Sequence, residues 1–218
     1  MLFRSQTWQA SADRSNPAEQ ADPDNHFQWR WTVQRLEAES VRDSILAVCG
    51  KLDRSMGQSM LHVKNREFLF DHTSKDLTSY DSFRRSVYLP VIRNNLYDAM
   101  SLFDCTDGTV PNGDRGASTV ASQALFLMNS PLVISAAEHL AQDLCSSSSD
   151  FTARAVRMSR TVLGRTLQQD ELTALQQAAA RLAAQLQSDA TPQAQRDVAV
   201  WTSLCQSLLM SNEFLYVR

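Results

Sequence analysis

Hydrophobic residues recur along this chain at helical spacing more than at any other. Between Thr32 and Val48, the positions Val41, Ile45, Val48 and then Leu52 share one face, and Gly50 stands where such a helix would stop. Ala121 to Asn129 is almost continuously apolar, which predicts a helix in the middle of a core. Ser130 and Pro131 then restart the chain, with Ser as N-cap and Pro at the first helical position. Beyond a Ser146 to Ser149 run, read as a flexible break, three further stripes follow. Phe151, Ala155, Met158 and Val162 form the first. Leu172, Leu175, Ala179, Leu182 and Leu186 form the second, opened by a Thr166-x-x-Gln169 capping box. Val198, Trp201, Cys205 and Leu208 form the third, after Thr191-Pro192. Short connections between such stripes make antiparallel neighbours, hence a bundle.

Extended structure is signalled weakly. Val87 to Ile92 is a β-branched and aromatic run that Pro90 confines to a sheet edge, and Glu67 to Phe70 could pair with it. Asp104 to Gly116 is a turn-rich loop holding three Gly, a Pro, an Asn and three Asp. Ala12 to Asn25 is polar and reads as an irregular surface segment. Trp29 and Trp31 after it read as a hydrophobic lid, with a stacked sugar or base as the other reading. The fold predicted is mainly α, a multi-helix bundle with a minor β-hairpin or edge-strand element. Residues 1–31 form an irregular N-terminal segment and 32–218 a single domain, with sub-lobes 32–145 and 151–218 joined at the serines.

Composition narrows the function classes. A chain of 218 residues, 43% hydrophobic, suffices for one globular domain. A net charge of −3 with no block of like charges gives nucleic acid and anionic membranes nothing to hold. No apolar run reaches the length of a bilayer span. Cys49, Cys105, Cys145 and Cys205 are far apart and form no Cys-x-x-Cys-His haem attachment, so no metal and no cofactor is expected on this chain. The four histidines lack ligand spacing. Asp71-His72 invites a catalytic reading, but with no nucleophile motif a solvated turn is preferred. Met1 to Arg4 does not open a signal peptide.

Candidate chemistry gathers in the centre. Arg84, Arg85, Arg93, Asp104, Asp107, Asp114 and Arg115 form a candidate ligand or docking patch. Asp104, Asp107, Asn112 and Asp114 offer hard oxygen ligands, yet their spacing departs from the calcium-loop motif, and turn capping is the simpler role. Glu39 and Asp43, at i and i+4, share a helix face. As structural ion pairs they would hold Arg85 or Arg93; as a catalytic pair their pKa values would be pushed apart.

Arg84 to Pro90, Phe103-Asp104 with Asp107, Arg115, Thr119, Gln123 to Pro131 and Asn212 to Val217 stand in an order that resembles a known domain. It is the C-terminal domain of unknown function of large exported planctomycete proteins. Arg35 to Asp43 and Leu163-Gly164-Arg165 are similar too. The resemblance implies a module that follows a second uncharacterised domain and, often, a cytochrome c-like haem module, so that any haem belongs to a separate upstream part. It also implies an extracytoplasmic, periplasmic location, upstream domains of the parent as partners, and a chain that is a C-terminal fragment. On that reading Leu2, Phe3 and Trp8 leave an exposed apolar patch. The function expected is structural, an interaction domain of a redox-linked protein. The alternative is a ligand-binding or hydrolytic domain whose central loop takes a small molecule or carbohydrate.

Overall fold

A computed structural model describes residues 9–14, 16–57, 60, 80–91, 96–106, 111, 113, 115–186 and 192–217. Its architecture is mainly α with one small antiparallel β element. In chain order the elements are α1 (Ala18–Ala21), β1 (Gln34–Arg35), α2 (Ala38–Val48), a 3-10 turn (Ser86–Tyr88), α3 (Asp98–Leu102), α4 (Ala121–Asn129) and α5 (Pro131–Ser147). Then come α6 (Phe151–Leu163), α7 (Gln169–Leu186), α8 (Gln193–Leu209), α9 (Asn212–Leu215) and β2 (Tyr216–Val217).

Helix α5 is the axis of the core. Its Val133, Ala136, Ala137, Leu140, Ala141 and Leu144 are buried, and it packs against α2, α4, α6 and, most extensively, α8. Three alanines on that face let α8 approach closely, because interaxial distance is set by the side chains at the contact. From α8, Trp201, Leu204, Cys205 and Leu209 complete the same buried cluster, and Val41 and Ile45 of α2 belong to it too. The core therefore does not stop at the Ser-rich corner. Helix α7 has no fully buried residue; Leu172, Leu175, Ala179, Leu182 and Leu186 lie half-buried over the cluster's flank.

The serine run forms the corner between α5 and α6. Helix α5 continues to Ser147, Asp150 caps α6 by accepting from the Ala153 N–H at 2.8 Å, and the buried Arg154 ties the turn. Its Nε donates to the Ser148 carbonyl at 2.5 Å, Nη2 to the Cys145 carbonyl at 3.3 Å and Nη1 to Asp197 Oδ2 on α8 at 2.6 Å. The next connection is locked likewise. Gly164 takes the left-handed conformation, φ 73°, that ends α6. Arg165 then makes paired hydrogen bonds to Glu171 at 2.7 and 2.8 Å and to Glu213 at 2.6 and 2.8 Å, which holds α9 to the start of α7. The cap of α7 sits two residues later than Thr166-x-x-Gln169. Glu171 reaches back to accept from the Gln168 N–H at 2.7 Å, because a glutamate carboxylate at N3 accepts better than the glutamine amide two residues earlier.

Two further expectations are corrected. Ser86 to Tyr88 is a 3-10 turn, not part of an edge strand, since Ser86 is drawn onto α2 by hydrogen bonds that an extended chain could not make. The β element lies elsewhere: Gln34 pairs with Val217 and Arg35 with Tyr216, joining the two ends of the domain. Helix α4 is not central. Only Gln123 and Leu127 are buried, while Leu125 and Met128 are about half exposed, because the chain bends by 48° at Ser130 and gives the core to α5. Its last carbonyls are met from α8, where Gln206 Nε2 donates to the Met128 carbonyl at 2.7 Å. The Ser130 cap and Pro131 start of α5 are as expected. The strand expected at Glu67 to Phe70, and Leu2, Phe3 and Trp8, lie outside the described residues. Among the described residues no single helix is long and apolar enough to cross a membrane. All four cysteines are free.

Two measurements check this account of the corners. Replacing Arg154 by Met removes donors from two carbonyls and strands Asp197, and should cost about 2–4 kcal/mol of unfolding free energy in urea titration. Arg154→Lys should recover only part. The second concerns pH. The Arg165 hydrogen bonds, with the Gln168 N–H, depress Glu171 from an ordinary 4.5 to about 2. A depressed carboxylate stabilises the fold above its unfolded value and stops doing so as pH falls through its folded value. The gap in melting temperature between wild type and Glu171→Gln should therefore be full above pH 4.5, shrink below it and vanish near pH 2.

Candidate functional site

One face of α2 organises the centre of the molecule. Helical spacing puts Arg42 on the side of Val41 and Ile45, so its guanidinium is buried, while Glu39 and Asp43 stand one turn apart at the edge. Nη1 of Arg42 donates to the Arg84 carbonyl at 2.9 Å and to Ser86 Oγ at 3.3 Å, and Nη2 donates to the Ser82 carbonyl. Ser86 passes the polarity on. Its hydroxyl, at 2.6 Å, and its N–H, at 2.8 Å, both donate to Asp43 Oδ1. Residues 82–86 make a single bridge, in which the Phe83 carbonyl accepts from the Asp53 N–H at 2.8 Å, and a guanidinium and a carboxylate of α2 satisfy much of the rest. Burial lowers the Arg42 pKa, against the opposing pull of Tyr97 and Asp43. Tyr97, pushed up mainly by its own burial, stacks on Tyr80 with centroids 4.6 Å apart.

Glu39 has a different partner. Arg115 crosses from the central loop and forks onto it, Nη1 to Oε2 at 2.8 Å and Nη2 to Oε1 at 3.0 Å, and also reaches Glu37 at 3.2 Å. Burial works to raise the Glu39 pKa, but the Arg115 hydrogen bonds and charge outweigh it and hold the carboxyl below its usual range. The thiol of Cys105 donates to Glu39 Oε1 at 3.7 Å, and burial together with the Glu39 charge pushes that thiol up. A thiol so placed stays protonated and is a poor nucleophile.

Asp104 closes the base of the loop. It sits at φ 59°, a left-handed conformation that aspartate tolerates. Its carboxylate accepts from the Ser118 N–H and hydroxyl at 2.8 Å each, and from Arg35 Nη2 at 2.6 Å. The backbone bond from Ser118 is the largest cause of its lowered pKa, opposed by burial. This is turn closure of the kind its sequence context suggests.

Two clefts flank these ion pairs. The first, of about 650 Å³, has Leu89, Leu96 and Met100 among its lining, with Glu39 and Asp43 along one side and Arg85, Val87 and Val91 along the other. The second, of about 660 Å³, is lined by Arg35, Asp104, Arg115, Ser118, Thr119 and Tyr216; Glu37 borders both. The candidate patch is thus divided. Arg115 and Asp104 belong with the second cleft, and Arg85 lies exposed on the first. Arg84 caps the Tyr88 ring at 4.6 Å, and its guanidinium lies over Gly57, where a Cβ would have to displace it. Arg93, Asp107, Asn112, Asp114, His62 and His72 lie outside the described residues.

The sequence singles out the two carboxylates and leads to Arg85 or Arg93 as their partners, of which Arg93 lies outside the described residues. Glu39 holds Arg115, and Asp43 holds Ser86 with Arg42 at 3.5 Å, whereas no ion pair joins either to Arg85 among the described residues. Arg42 and Arg35 stand out in the sequence as the local cations nearest the two carboxylates; Arg42 lies 3.5 Å from Asp43, whereas Arg35 pairs with Asp104. The available signal for Arg42 was its place on the apolar face of α2. Among the described residues no group of three or more His, Cys, Asp or Glu is placed to hold a metal ion.

A sequence profile of the family described as a protein of unknown function (DUF1553) matches residues 1–179. Neither the curated proteins nor the solved structures contain a match.

A double-mutant cycle checks the assignment of Asp43. Asp43→Asn with Ser86→Ala should show coupling on the order of 1–2 kcal/mol, and Asp43→Asn with Arg85→Gln should be additive within about 0.5 kcal/mol. The reverse pattern in urea unfolding would return Asp43 to the pool of groups free for chemistry.

Proposed function

Since the chain, matched over residues 1–179, belongs to the DUF1553 family of unknown function, we propose that it is a structural and interaction module of a larger protein. In this proposal it docks other domains of an exported, redox-linked parent. Export, the redox link and the identity of those domains rest on the resemblance of the central motifs. The physical support is the first cleft. Val87 and Val91 on its rim are 68% and 63% exposed, and an apolar floor lies between them and α2. Exposed valines beside a groove suit the burial of a partner's apolar side chains. The charges of α2 are spent on Arg115 and Ser86, so they shape the groove more than they act on a substrate.

The experiment uses the uncharacterised domain that precedes this one in the proteins its motifs resemble, titrated calorimetrically into the 218-residue chain. Binding is expected, and Val87→Asp with Val91→Asp should weaken it at least tenfold, about 1.4 kcal/mol. Binding that both substitutions leave untouched would place the interface elsewhere, and no binding would remove the docking role.

A further inference from the structure

The first cleft carries both halves of a complementary pair on one face. Val87 and Val91 stand out from its rim, 68% and 63% exposed, and between them and α2 lies the apolar floor of Leu89, Leu96 and Met100. A knob and the hollow to receive one are therefore side by side. The α2 wall is smooth as well: Ser40, Ser44 and Ala47, at i, i+4 and i+7, leave room for an apolar side chain to lie against the helix.

The charges of this face are divided in the same way. Arg85 is exposed on one wall, and among the described residues no hydrogen bond or ion pair holds its guanidinium. On the other wall Glu37 is 62% exposed and meets Arg115 through Oε2 at 3.2 Å, while Arg115 keeps its fork for Glu39. Asp43 gives Oδ1 to Ser86 and Arg42, and its Oδ2 has no partner among the described residues. One wall thus offers an unpaired cation and the other spare carboxylate oxygens, and the two do not meet within one chain.

A second copy of this chain supplies all four elements at once. A two-fold axis sets such a patch against its own image, residue i on j and j on i, so each knob faces a hollow and each cation a carboxylate. We propose that this face pairs with itself in a two-fold dimer, in which Val87 and Val91 of one protomer fill the groove of the other and each Arg85 reaches Glu37 across the axis, beside Asp43. The valines leave water, and the two guanidinium–carboxylate pairs at the rim fix orientation and register more than strength. The pairing goes beyond the docking reading, since the groove is filled by the chain itself, and a dimer and a docked domain exclude one another.

The test is sedimentation velocity on the 218-residue chain over a micromolar concentration series, where a monomer–dimer equilibrium is expected. Arg85→Glu and Glu37→Arg alter exposed side chains that make no helix cap, and each should weaken dimerisation roughly tenfold or more through like charges facing across the axis. Mixed in equal amounts the two variants should dimerise again, because both contacts are then of opposite sign. Val87→Asp should abolish the dimer, and mixing with either charge variant should not restore it. A chain monomeric throughout the series, association that these substitutions leave unchanged, or a mixture as weak as its components would each overturn the pairing. Titration with the preceding domain separates the two readings: domain binding without charge rescue leaves docking alone standing, and rescue without domain binding leaves the dimer alone.

Discussion

Buried guanidinium groups do for the irregular parts of this domain what hydrogen-bonded ladders do elsewhere. Arg42 takes the Ser82 and Arg84 carbonyls, Arg35 the Phe103 carbonyl, and Arg154 the Ser148 and Cys145 carbonyls. Apart from Cys145, which lies in the last turn of α5, these carbonyls stand in connections between the helices, and a backbone carbonyl left dry there would be costly. The forked, always charged head of arginine can meet two such acceptors and a carboxylate at once, which lysine cannot. Remove these groups and the helices would remain, but the connections that set their order around α5 would have no fixed path.

That dependence explains what could be read from the chain and what could not. The stripes of α6 and α8, the Ser130-Pro131 start and the Gly50 stop are local patterns, and all appear in the structure. The β element was placed wrongly because Val87 to Val91 has strand-forming residues but no partner ladder, and the hydrogen bonds that Ser86 donates to Asp43 outweigh propensity. Pairing of Arg35 with Tyr216 spans nearly the whole domain and leaves no trace at short range. Helix α4 was expected inside because a run of five consecutive apolar residues, Ala124 to Met128, carries no period; the 48° bend at Ser130 decides which side is wet.

The candidate site shows the same limit. Glu39, Asp43, Asp104 and Arg115 are conspicuous in the sequence and take part in defined pairs. Their partners come from residues tens of positions away, and Ser86 and Ser118 look like ordinary loop serines until both hydroxyl and N–H are seen to face one carboxylate. Membership of a family of unknown function adds a family without adding a reaction, so the chemistry must be argued from the two clefts themselves.

The four free cysteines carry a consequence for how the chain can be made and kept. Burial raises the pKa of each, Cys205 to about 12, so that at neutral pH the reactive thiolate form is scarce at every one of them. Thiol–disulfide exchange runs through that form. Exchange at each of the four is therefore slowed while the domain stays folded. Unfolding returns the thiols to ordinary values and so opens the chain to mispairing.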